Sequence, residues 1–181
     1  MMSAIGPIRP ISPMLSQPWF GVPDRVSALH HEAARWLGTP FVPNSAEPGP
    51  RGGVSCQKLV AELYFAVGFA ARLPIPDAPM AHWRSNRESL VEQFMAGRAD
   101  FVRLPGDPLA VLPGDMLGFT IGHTIHHSGV ALGHLEFIHA IEGLGVTISQ
   151  LSDPTWFGRL AAIWRPLIHQ PSTNNPQPTN G

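Results

Sequence analysis

Cys56 is the only cysteine in a chain of 181 residues. It follows Arg-Gly-Gly-Val-Ser and opens a stretch in which Leu59, Leu63 and Val67 recur at helical spacing, with Val60 and Tyr64 beside them. The pattern predicts a helix from Ser55 to about Ala71. Ser55 suits the N-cap, which sets Cys56 in the first turn. Unpaired N–H groups and the positive end of the helix dipole favour a thiolate there, so a depressed pKa is expected. The same N–H groups can hold the oxyanion formed when a thiolate attacks a carbonyl. Gly52 and Gly53 would let a substrate backbone come close. A lone cysteine is more commonly a small buried hydrophobe, so a nucleophile needs a base to vouch for it.

Two of the nine histidines, His127 and His139, flank a hairpin. A two-residue turn at Gly133-His134 would put them on opposite faces of the sheet. A three-residue connection, or a bulge, pairs Gly129 with His139 instead. His127 then becomes the diagonal neighbour of His139, with the imidazoles in reach and Gly129 leaving space between them. This second register is the one expected. His127 would take the thiol proton and return it to the leaving amine. His139 would accept a hydrogen bond from the other nitrogen of His127, fixing its tautomer. His30, His31, His82 and His169 read as surface or satisfied core residues. His123, His126, His127 and His134 crowd one region and raise a bound metal as the rival. H-x-x-H-H on a strand does not converge as it would on a helix, and no acidic ligand has familiar spacing to it. No metal and no cofactor are therefore expected.

The elements that must position these residues follow from the rest of the pattern. Asp24 is a candidate cap for a first helix carrying Val26, Leu29, Ala33, Trp36 and Leu37 and ending at Gly38. Residues 40–53 are dense in Pro and Gly and read as a loop. Ser85 and Glu88 form a capping-box pattern for a third helix ending at Gly97. Strand-like runs follow at 101–104, 116–121, 126–132, 135–141, 144–149 and 161–165. Helices first and antiparallel strands after them make an α+β domain. Residues 1–22 read as an irregular Pro-rich arm, 23–169 as the folded domain and 170–181 as a disordered tail. Of Trp36, Trp83, Trp156 and Trp164, about three are expected in the core. Asp115 in Pro-Gly-Asp reads as a turn residue, and Asp107 likewise.

Charged residues make up 14% of the chain and the net charge is −1, so nothing points to nucleic acid or an anionic membrane as partner. One cysteine permits no internal disulfide. The first twenty residues lack the basic and apolar regions of a secretory signal, and no run is long enough to span a membrane. Synthesis in the cytoplasm is expected, with any delivery outside the cell left to lysis or a secretion machine.

Three blocks in order resemble the NlpC-type cell-wall peptidases, a family of papain-like cysteine hydrolases. They are A-R-W-L-G-T-P-F (34–41), G-V-S-C-Q-K-L-V (53–60), and L-P-G-D-M-L-G-F (112–119) continuing into H-S-G-V-A-L (127–132) and F-I-H-A (137–140). D-P-T-W-F-G-R (153–159) is similar to the phage-tail-associated branch. The resemblance implies helices, one bearing Cys56, packed on a small antiparallel sheet or half-barrel. It also implies peptidoglycan stem peptides as substrate, hydrolysed through a thioester by Cys56, His127 and His139. The sequence departs from the family at Ser55, where Asp is usual, at Gln57-Lys58, where small residues are usual, and at Phe41. A Tyr in the place of Phe41 lends its hydroxyl near the nucleophile, and losing such a donor costs about 100-fold or more in rate. Asn44 is a candidate substitute. Two alternatives stay open: an amidase or acyltransferase on another substrate, and a catalytically silent binding or assembly domain.

Overall fold

The computed structural model describes residues 17–73, 75–77 and 88–168. Helix α1 (Pro23–Trp36) buries Leu29, Ala33 and Trp36. Its N-cap is Val22, with Pro23 as first helical residue, so Asp24 sits inside the first turn and is not the cap. Proline has no N–H to lose at that position and its φ is already helical. Asp24 still opposes the dipole's positive end.

Helix α2 (Cys56–Ala66) has Ser55 as its N-cap. It stops five residues short of Ala71. Gly68 takes a left-handed φ of 78°, Gly68 N–H bonds Phe65 O and Phe69 N–H bonds Tyr64 O. That paired closure is stabilised by Phe69 folding back onto Tyr64, ring centroids 5.3 Å apart. Helix α3 (Leu90–Ala96) is capped by Ser89, whose Oγ accepts from Glu92 N–H at 3.0 Å. The operative capping pattern is therefore Ser89-Leu-Val-Glu92, while Ser85 lies outside the described residues. Ser89 Oγ also donates to Ile125 O at 2.5 Å, tying the helix to the sheet.

The supposed loop 40–53 contains strand β1 (Ala46–Glu47), which pairs with β2 (Gly53–Val54). The main sheet has β3 (Phe101–Pro105), β4 (Met116–Ile121), β5 (Thr124–Gly133), β6 (Glu136–Ile141), β7 (Gly145–Gln150) and β8 (Leu160–Pro166). Its order is β3-β8-β4-β5-β6-β7, antiparallel throughout. This is the expected α+β, papain-like architecture. One core packs Leu29, Trp36, Leu59, Leu63 and Tyr64 of the helices with Val130, Ile138 and Trp164 of the sheet. A second core joins Leu117, Phe119, Phe137, Leu151 and Ile163, with Trp156 against it. At the start of the described chain, Pro18 bridges Leu167 and Phe20 is buried. The tail at 170–181 lies outside the described residues, and none of the described helices is long and apolar enough to cross a membrane.

Asp115 anchors its turn more firmly than a turn residue needs to. It is 1% exposed, accepts from Leu112 N–H at 2.8 Å, and holds Arg165 Nε and Nη2 at 3.0 and 2.8 Å. Burial still lifts its carboxyl above the usual range, more than Arg165 lowers it. Removing Arg165 would strand a buried charge. Arg165→Met is expected to cost about 3 kcal/mol at pH 8 in urea unfolding. The loss should be smaller at pH 5, where Asp115 can take up a proton. An equal loss at both pH values would rule out this account.

Candidate functional site

The β5–β6 hairpin sets the two histidines. Gly133 pairs with Glu136 around His134-Leu135, both at positive φ, and a bulge between Ala131 and Gly133 shifts the register. Gly129 then faces His139. A Cβ at Gly129 would meet Ile138 O at 2.8 Å and His139 Cβ at 3.2 Å, so the close strand approach needs glycine there. His127 Nε2 lies 2.8 Å from His139 Nδ1, and His139 Nε2 lies 2.9 Å from Ser149 Oγ on β7. With both rings neutral, this chain can run from His127 Nε2–H to His139, and from His139 Nε2–H to Ser149. That sense leaves His127 Nδ1 as a bare acceptor.

Both rings are held neutral. Burial, then the charge of Arg159, lowers His127 from 6.5 to about 4. Burial, then His127 itself, lowers His139 to about 3. Trp156 walls the pair, stacked on His127 at 5.4 Å and edge-on to His139 at 4.6 Å. Of the other tryptophans, Trp36 and Trp164 are core, and Trp83 lies outside the described residues.

Cys56 meets this strand from the helical side. Its side chain is buried, with backbone groups of Ser128, Gln57 and Cys56 itself near enough to favour the thiolate. Burial nevertheless pushes the thiol pKa up, against that influence. The expectation of a depressed pKa therefore fails: with Cys56 only 6% exposed, lost hydration outweighs the helix start. Ser128 Oγ faces the same sulfur without completing a hydrogen bond, and it is the one buried side-chain polar atom without a partner among the described residues. Ser128 is the chain neighbour of His127, yet no hydrogen bond joins Cys56 to His127. The histidines are brought into contact with each other; the cysteine is brought to Ser128, the next residue along the strand. Gln57 supports the arrangement, its Nε2 donating to His126 O at 3.0 Å.

Other residues take roles unlike those expected. Gly52 and Gly53 are required by the fold itself, because a Cβ at Gly52 would collide with Glu47 O and one at Gly53 with Val42 Cγ2. Lys58 points away to Asn44 O at 2.5 Å and Asp77 at 2.8 Å. Phe41 bridges Val54, two residues before Cys56. Among the described residues no group of three or more His, Cys, Asp or Glu could hold a metal ion. Ser149, Trp156 and Ser128 were not singled out as site residues. Strand alternation in β7 could have flagged Ser149, which shares a face with Thr147 opposite His139.

The sequence model of the NlpC/P60 family matches residues 45–165. Murein DD-endopeptidase MepS/Murein LD-carboxypeptidase of Escherichia coli (strain K12) is 40% identical over 43 residues, 24% of this chain and 23% of that protein. A Staphylococcus aureus structure described as similar to lipoprotein, NLP/P60 family, superposes with a TM-score of 0.57 at 19% identity, covering 88% of this chain and 46% of that one. The NlpC/p60 domain of peptidoglycan hydrolase SagA gives 0.52 at 23% identity, covering 76% and 97%. Peptidoglycan hydrolase RipB from Mycobacterium tuberculosis gives 0.53 at 20%, covering 81% and 66%. At these identities the structural likeness speaks for the fold.

Proposed function

We propose, from the premise that this chain belongs to the NlpC/P60 family, that it is a cysteine-dependent hydrolase of amide bonds in peptidoglycan stem peptides. The observation that carries the proposal is the relay His127–His139–Ser149, with Cys56 set against Ser128, the chain neighbour of His127. The names of the relatives, peptidoglycan hydrolases and a murein endopeptidase, support the substrate class.

His127 Nδ1 takes the thiol proton as Cys56 Sγ attacks the carbonyl carbon. The oxyanion is met by N–H groups at the start of α2. The C–N bond breaks, the amine leaves with the proton from His127, and an acyl thioester remains on Cys56. Water, deprotonated by His127, then releases the acid. His139 keeps His127 oriented, and as a neutral imidazole it stabilises the imidazolium less than a carboxylate would. That no hydrogen bond joins Cys56 to His127 in the free protein is compatible with this role, because catalytic hydrogen bonds are commonly long or absent until substrate binds.

A second reading, a catalytically silent assembly domain, draws on the buried neutral thiol and on Phe41, which has no hydroxyl to give. One experiment separates the two. A purified stem-peptide fragment is mixed with the protein, quenched in acid within seconds and weighed intact by mass spectrometry. The hydrolase reading expects an acyl adduct on Cys56 and accumulating cleaved peptide. Intact peptide and unmodified protein after hours would leave the silent domain.

A further inference from the structure

Arg159 stands at the corner occupied by the histidine pair. Its N–H bonds Trp156 O at 3.1 Å and its carbonyl accepts from Thr120 N–H at 2.8 Å. Phe119, next to Thr120, pairs with His127 on one side and Leu160 on the other. Trp156, three residues before Arg159, stacks on His127. The backbone of Arg159 is thus pinned two strands from the imidazole, and its side chain is left unengaged.

That freedom is unusual in this molecule. Arg35, Lys58, Arg72, Arg98, Arg103 and Arg165 each form an ion pair. Arg25 donates to Trp19 O. Among the described residues, Arg159 is exposed and has neither an ion pair nor a side-chain hydrogen bond, a state it shares with Arg51 in the turn before β2. An unpaired cation here also works against the proposed chemistry, because its field disfavours protonation of His127. A group that arrives with the substrate and carries the opposite charge would remove that opposition.

We propose that Arg159 is the docking point for a carboxylate of the substrate, on the side of the site where Trp156 stacks on His127. This rests on the hydrolase reading of the same site. A guanidinium suits the task because its planar fork meets both oxygens of a carboxylate. The docked carboxylate offsets the charge of Arg159, and His127 then accepts the thiol proton more readily. Recognition and activation of the base become one event, and peptides lacking the acid are bound weakly and turned over slowly.

The test uses the full chain carrying Cys56→Ala, so that no turnover intervenes. Two probes are titrated by calorimetry at low salt: a stem-peptide fragment with free carboxylates, and the same fragment with its carboxylates converted to methylamides. The acidic fragment is expected to bind about tenfold more tightly than the amidated one. Adding Arg159→Gln should erase that preference, and Arg159→Lys should restore part of it. Arg35→Gln, an equal change of charge on the exposed face of α1, should leave it intact. Equal affinity of the parent protein for both probes, or a preference that survives Arg159→Gln, overturns the proposal. Failure of the hydrolase reading shows separately, as absence of the acyl adduct on Cys56 in the unmutated protein.

Discussion

If the proposed hydrolase reading holds, Cys56→Ala is expected to lower the rate of stem-peptide hydrolysis by about 10,000-fold or more, and His127→Ala by a similar factor. The resting electrostatics make the two losses comparable. Burial holds the thiol protonated and His127 neutral, so the nucleophile exists only while the imidazole is taking its proton. Either partner alone is inert, and the double variant should be no slower than the worse single one, because the residues act as a unit. His139→Ala removes only the acceptor that orients His127, so about 100-fold is expected. The same variants should keep the far-ultraviolet circular dichroism of the parent. Additive losses in the double variant, or Cys56→Ala retaining a tenth of the parent rate, would refute the Cys–His assignment.

The parts legible in the sequence are those set by short-range pattern. Alternating apolar residues marked β4 to β8, and the spacing of Leu59 and Leu63 marked α2. The separation of His127 from His139 fixed which register could bring them together, because side chains on a strand change face at each residue. Boundaries were harder. Asp24 carries good capping chemistry, but Pro23 already opens α1 and leaves Asp24 inside the first turn, and Ser89 is the residue that caps α3. Gly68 and Phe69 ended α2 through a contact between rings that no propensity encodes. The protonation state of Cys56 departs from the local expectation for a related reason. The helix start is local and visible, whereas the burial that overrides it comes from residues far along the chain. Ser149 and Trp156 reach the histidines through tertiary packing, and only the assembled sheet reveals them.

Between pH 7 and pH 4 the fold should lose much of its stability, and the histidine pair should be the cause. In the unfolded chain each imidazole takes a proton near the ordinary 6.5; in the folded protein His127 waits until about 4 and His139 until about 3. Through this window the unfolded state binds more protons, so stability falls as pH falls. Each proton taken up on unfolding is worth about 1.4 kcal/mol per pH unit, and two fully exchanging sites set an upper bound of about 2.7 kcal/mol per unit. From pH 6.5 to pH 5 that bound comes to about 4 kcal/mol, most of the stability of a domain at the lower end of the usual range of about 5–15 kcal/mol. Asp115 cannot be the source: its carboxyl is raised in the fold, which favours the native state as pH drops. Urea midpoints at pH 7.0, 5.5 and 4.5 measure the slope, and His139→Gln should remove about half of it. A midpoint that hardly moves above pH 4.5, or a slope untouched by His139→Gln, would mean that water reaches the imidazoles and keeps them ordinary bases. The neutral relay on which the proposed proton transfer depends would then be lost as well.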